Sequence, residues 1–148
     1  MAADRSYIAE NDRERRRLEA LVGKLDDAAL NRPMPAGWTV AGVLAHLAFW
    51  DQRIPTLVDL VERGAKIPEA NLIDVEWINA AAKPTQLALA PRRAATLAVD
   101  TARAVDAAVA AMSDELLAKN AAAGSPIKLQ RSEHRREHLD EIERALNR

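Results

Sequence analysis

Three histidines occur in the chain, and two of them, His134 and His138, lie four residues apart in the stretch SEHRREHLDEI. On a helix that spacing puts both imidazoles on one face, with Cβ atoms about 5–6 Å apart. Two rings so placed can share one ion at metal–nitrogen distances of about 2.0–2.1 Å. The helical H-E-x-x-H zinc site uses the same spacing. Here the segment reads H-R-R-E-H, with glutamate before the second histidine, so the metalloprotease motif is absent. His46 sits in GVLAHLAFWDQ among apolar neighbours. Sites in helical bundles are built from side chains that project inward from facing helices. His46 is therefore placed to complete a three-histidine set with the last helix. The plainer alternatives are an exposed polar face for His134 and His138, beside Arg135 and Arg136, and for His46 a core imidazole bonded to a backbone carbonyl.

The rest of the composition narrows the chemistry. There is no cysteine, which excludes disulfides, thiolate nucleophiles and zinc–thiolate sites. A transition metal would have to be held by His, Asp or Glu. The 21 basic and 22 acidic residues leave a formal net charge of −1, so nothing marks a nucleic-acid partner. No run of about 18 apolar residues is present, so no membrane span is expected. The first residues, MAADRSYIAENDRERRR, are charged rather than apolar and do not read as a secretory signal. A cytoplasmic location and a small-molecule or protein partner are the expectations. Ser and Thr are numerous, but none stands at a nucleophile–base spacing once the histidines are committed to a metal.

These residues must be positioned by helices. Alanine, leucine, arginine and glutamate dominate, glycine is scarce, and alternating β-branched runs are nearly absent. An all-α single domain over residues 1–148 is expected. A first helix runs from about Ala3 to Lys24, with Ile8, Leu18, Leu21, Val22 and Leu25 facing inward. Its RERRR block reads as a solvated face, with Glu14–Arg17 and Asp12–Arg16 spaced to pair. Two prolines and a glycine make LDDAALNRPMPAGW a loop. Thr39 caps a second helix from Val40 to about Arg63, with Pro55 kinking or loosening it and Gly64 stopping it. IDVEWINAAAK forms a short helix ended by Pro84. The third long helix spans Pro91 to about Met112, and its many alanines let neighbours approach closely. SDELLAKNAAAGSP reads as a loop. The last helix opens at Ile127 or Lys128 and ends near Asn147, with Leu139, Ile142 and Leu146 inward.

Three segments together, GWTVAGVLAHLAFWDQR, DVEWINA and EHRREHLDEIERAL, resemble the DinB-like metal-binding four-helix superfamily in order and spacing over essentially the whole chain. The resemblance implies a four-helix bundle with a long crossover and a short extra helix between the second and third long helices. It implies a divalent metal, usually zinc or nickel, held by His46, His134 and His138, and a homodimer. It also implies the thiol-dependent chemistry of relatives such as mycothiol-dependent maleylpyruvate isomerase and thiol S-transferases, in which the metal activates a low-molecular-weight thiol. Asn79 matches the family's short-helix asparagine and is a candidate for the pocket mouth, or a plain helix cap.

Other residues near His46 have roles to weigh. Trp50, one turn on, is a core aromatic or a pocket wall. Asp51 pairs with Arg53 or a neighbouring helix, or orients His46. Arg53 meets a carboxylate of the thiol or its acceptor, or forms a surface ion pair. The expected function is a metal-dependent transferase or related enzyme using such a thiol. The alternatives are a non-catalytic dimeric bundle with structural or no metal, and a metal-dependent hydrolase.

Overall fold

A computed structural model describes residues 3–69 and 75–148. The described chain is all-α apart from one two-strand ribbon. In order it forms α1 (Tyr7–Lys24), a short α2 (Asp27–Leu30), strands β1 (Pro33–Met34) and β2 (Trp38–Thr39), α3 (Val40–Glu62), α4 (Val75–Ala88), α5 (Pro91–Ala110), α6 (Asp114–Ala122) and α7 (Ser132–Leu146). The loop expected after α1 thus contains a helical turn and the ribbon. No described helix is long and apolar enough to cross a membrane.

The ends of α3, which carries His46, follow from local chemistry. Thr39 Oγ1 accepts the Gly42 N–H at 3.0 Å, satisfying one of the free donors of the first turn. At the far end Gly64 takes a φ of +102°, and the Ala65 N–H returns to the Leu60 carbonyl at 2.9 Å, the Schellman stop. The helix continues through Pro55.

The second half departs from expectation in three places. First, α4 continues through Pro84 to Ala88. The lost backbone bond is offset by packing beyond it, where Gln86 is buried and Leu89 joins the core. Leu87 lies so close to Gly42 that a Cβ there would sit 2.7 Å from Leu87 Cδ2. Ile73 and Asp74, the expected start of this helix, lie outside the described residues. Second, the segment after α5 is not a loop but holds α6, with Ser113 Oγ accepting the Leu116 N–H at 3.1 Å and Leu116 and Leu117 buried. Third, α7 begins at Ser132, not at 127. Residues 127–131 instead cross the bundle without helical structure, held at one end by Asn120, whose amide bonds both the N–H and carbonyl of Ile127. At the other end Asn11 of α1 donates to the Leu129 carbonyl, and its Oδ1 accepts the N–H groups of Arg131 and Ser132 at 2.7 and 3.0 Å. A side chain from α1 therefore sets where α7 starts.

Among the long helices, α3 packs along α5, and both α1 and α3 also contact α7, with α1 against α5 as well. Round the bundle the order is α1, α5, α3, α7, so α1 and α3 are diagonal and their connection crosses the bundle end. Ala94, Ala95, Ala98 and Ala102 of α5 are fully buried, which permits the close α3–α5 approach. The helix α4 lies on α3.

The core has two apolar clusters. One gathers Leu18, Leu44, Leu47, Leu139 and Ile142, the other Tyr7, Ile54, Val58, Val109 and Ile127. Between them, by position along each helix, lies a buried polar layer containing Asn11, Asp51, Asp106, Arg131 and Arg135. Arg135 is 0% exposed and reaches the other three long helices. It donates to both carboxylate oxygens of Asp106 at 2.7 and 2.8 Å, to Asp51 at 3.4 Å, to the Ala102 carbonyl and to the Asn11 carbonyl. Arg131 bonds Asp51 at 2.9 Å. The RERRR block is split: Arg13 and Arg16 are exposed, Arg15 joins the same network, and Glu14 and Arg17 tie α1 to α7 in a cluster of their own. Arg15 pairs with Asp106 and Asp12, Arg17 with Asp140 and Glu143 of α7, and Glu14 is buried between Arg17 and Arg136. Asp12 thus pairs with Arg15, not with Arg16.

Candidate metal centre

The helical phase of α7 divides its residues sharply. Arg135 turns to the bundle axis, while His134 and His138, on the adjoining face, turn toward α3 and meet His46. The Nε2 atoms of His46 and His134 are 3.2 Å apart, and those of His134 and His138 are 3.1 Å apart. One ligand atom from each of the three rings can be chosen so that all lie within 4.8 Å of one another. His46 is 8% exposed, and the edge of Trp38 packs near it with ring centroids 5.8 Å apart.

Electrostatics favour the uncharged form of His46 and His134. Burial, with the charge of His138 adding to it, pushes His46 down to about 4. Burial, then His138 and His46, then Arg131 and Arg135, push His134 down to about 3. Neutral imidazoles are the form in which histidine binds metals. Glu141, one turn beyond His138, contacts the His138 Nδ1 at 3.1 Å. A carboxylate there takes the Nδ1–H and leaves the Nε2 lone pair facing its two neighbours, the arrangement that orients ligating histidines in metal sites. His46 Nδ1 is buried without a hydrogen-bond partner among the described residues.

The donor set suits a divalent cation. Tetrahedral coordination at about 2.0–2.1 Å places ligand nitrogens about 3.3–3.4 Å apart. The His46–His134 and His134–His138 separations of 3.2 and 3.1 Å are within a few tenths of an ångström of this, and all three nitrogens lie within 4.8 Å of one another. Ring nitrogens turned on one another compete for the same few protons, whereas one cation would satisfy a lone pair from each ring.

A cavity of about 740 Å³ opens on the three rings. Trp38, Trp50, Arg53, Asn79, Lys128 and Glu137 are among its walls. Trp50 is buried, and it also lines the cavity, so both roles weighed for it coincide. Its Nε1–H donates to Asn79 Oδ1 at 2.7 Å, which ties α4 to α3 at the mouth; Asn79 is no helix cap. The Arg53 guanidinium stacks on the Trp50 ring at 4.6 Å. No carboxylate pairs with Arg53 among the described residues, which corrects the surface ion pair. Asp51 does not orient His46; it is consumed by Arg131 and Arg135. Sequence reasoning missed Trp38 and Glu141. The signal for Glu141 was its three-residue step from His138, and for Trp38 its position just before the cap of α3.

A model of the mycothiol maleylpyruvate isomerase N-terminal domain family matches residues 12–144. No curated protein and no solved structure matches the chain.

Proposed function

The chain belongs to the mycothiol maleylpyruvate isomerase N-terminal domain family, and from that premise we propose that it holds one divalent cation, zinc or nickel, at His46, His134 and His138 and acts as a transferase or related enzyme on a low-molecular-weight thiol. The observation that carries this is the convergence of three imidazoles, 3.1 and 3.2 Å apart at successive Nε2 atoms, on the wall of an open cavity.

A divalent cation held by three imidazoles supplies an open coordination position at which a thiol is deprotonated. The chain has no cysteine, so the thiol comes from outside as a cosubstrate. Glu141 holds the His138 ring in the ligating tautomer. Arg53, stacked on Trp50 and without a carboxylate partner among the described residues, is positioned for a carboxylate of the thiol or its acceptor. The indole faces of Trp38 and Trp50 exclude water from the wall beside the rings. The same reading carries a homodimer and a cytoplasmic location, the first open to sedimentation.

Elemental analysis of protein purified without a histidine tag, followed by thermal-shift titration with mycothiol and other small thiols, tests this. One equivalent of zinc or nickel and a thiol-dependent rise in Tm that requires the metal are expected. Metal-free protein that gains nothing from added zinc or nickel sinks the proposal. Metal without any thiol response favours the structural-metal alternative, and turnover of an activated ester without thiol favours the hydrolase.

A further inference from the structure

Three cations, Arg53, Lys128 and Arg131, stand in the wall of the histidine cavity. Arg53 has the Trp50 ring beneath it and no carboxylate partner among the described residues. Lys128 is exposed and is also without one. Arg131 is only 7% exposed, yet its side chain makes a single hydrogen bond within the chain, from Nε to Asp51 at 2.9 Å. That carboxylate is shared with Arg135. The Arg131 Nη1 and Nη2 groups have no hydrogen-bond partner among the described residues, and neither is sealed from solvent. The opening that Arg131 lines is the histidine cavity. A guanidinium carries five N–H donors in a fixed fork, and one held this deep with most of its fork unmade is costly. Burial, and then the charge of Arg131, push the Arg53 guanidinium below its ordinary value, so the two cations lie in each other's field. Glu137 and Glu141 line the same cavity, but neither is ion-paired with these cations among the described residues, and Glu141 is on His138. The backbone that delivers Lys128 and Arg131 is the non-helical crossing held at its ends by Asn120 and Asn11.

We propose that Arg53, Lys128 and Arg131 form a subsite for a doubly charged oxyanion, the phosphate monoester group of a small molecule whose other end lies at the three histidines. The inference rests on the metal-and-thiol reading for what happens at that other end, but the oxyanion contact itself needs neither metal nor thiol. Guanidinium forks match the oxygens of a phosphate and bind them in pairs. Arg53 alone suits a carboxylate. With Lys128 and Arg131 beside it, the attraction grows with the charge of the partner and favours a dianion.

Calorimetric titration of the metal-free full chain with inorganic phosphate tests this, at about pH 7.5, where phosphate is mostly doubly charged, and at fixed ionic strength. One phosphate per chain is expected, held about tenfold more tightly than acetate, the singly charged comparator. Glycerol 1-phosphate should bind within about threefold of free phosphate, since both present the same dianion. Arg53→Gln should weaken phosphate about tenfold, and Lys128→Ala, whose ammonium is screened by solvent, about threefold. Arg131→Lys keeps a charge opposite Asp51 but removes the fork, and should cost about tenfold. If that variant does not fold, Arg53→Gln and Lys128→Ala decide alone. Arg93→Gln removes one exposed charge on α5 outside the cavity and should change phosphate affinity by less than about twofold. Absence of phosphate binding by the wild-type chain overturns the subsite, as does acetate held as tightly as phosphate, or a loss in Arg93→Gln equal to that in Arg53→Gln. Exclusion of glycerol 1-phosphate overturns the ester. Phosphate binding by a chain that takes up no metal would sink the thiol reading alone, and metal uptake with a thiol response but no phosphate binding would sink only the subsite.

Discussion

Two neighbouring residues of α7, His134 and Arg135, head two buried polar regions that solve the same problem in opposite ways. Around Arg135 the charges are mixed. Its guanidinium meets Asp106 and Asp51 while Arg131 and Arg15 share the same carboxylates. Around His134 the groups are alike, three imidazoles turned on one another, and the carboxylate that contacts a ring is Glu141 at the edge. The first region is paired within the chain except at Arg135 Nε, Ser132 Oγ and the Arg131 Nη atoms, and it ties the four long helices together. The second sets like groups against like and has no opposite charge within the three rings. A rigid charged layer adjacent to an under-satisfied site is what a preorganised ligand set needs, since its rotamers are held by neighbours rather than by the ligand.

The comparison can be broken from its strong side first. Arg135→Ala leaves buried Asp51 with Arg131 alone and buried Asp106 with Arg15 alone. Removal of one partner from a buried ion pair costs about 3–5 kcal/mol, so urea unfolding should show a loss of that size. A loss under about 1 kcal/mol would mean the layer does not lock the bundle. His138→Ala removes a ligand but no structural partner except Glu141. It should lower metal occupancy at least a hundredfold while far-ultraviolet circular dichroism stays near that of wild type, and outright unfolding would reassign the metal to a structural role. Glu141→Gln keeps the ring and weakens its orientation. Metal affinity should fall about 10–100-fold, the usual effect of disturbing a partner of a ligating histidine, and an unchanged affinity would remove Glu141 from the site.

The smallest effect is on pH dependence. His46 and His134 titrate at about 4 and about 3 in the fold, below the ordinary 6.5. Between 6.5 and about 4 the unfolded chain binds protons that the folded rings refuse, so unfolding becomes easier as pH falls through that window. Metal-free protein should therefore lose Tm from pH 7 to pH 4, and His46→Asn should flatten part of the slope. An identical slope in that variant would show that the rings do not govern it.

The two regions also differ in how far the sequence discloses them. The histidines were legible because their kind is rare here, their spacing is four, and their third partner sits in an apolar segment. Arg135 was not. It lies between arginines and glutamates on a segment that reads as solvated, and its burial depends on side chains from residues 11, 51 and 106 arriving at one place. For the same reason Asp51 read as a possible partner of His46. The start of α7 escaped notice because Asn11, about 120 residues upstream, sets it. Pro84 misled in a simpler way, since a local breaker was overridden by packing of Gln86 and Leu89 further along the helix. The helix α6 left a local trace, Ser113 before an Asp-Glu-Leu-Leu run, which the glycine, serine and proline behind it obscured.

The Asn11 anchor, together with the 88 residues separating His46 from His134, has a consequence for biogenesis. As the nascent chain leaves the ribosome, its first imidazole emerges long before the other two. The amide that fixes the start of their helix belongs to the amino-terminal side and meets its backbone partners only when residues 129–132 have been made. A site built from all three rings is consequently complete only once the last helix is made, and a product terminated before His134 retains one of the three.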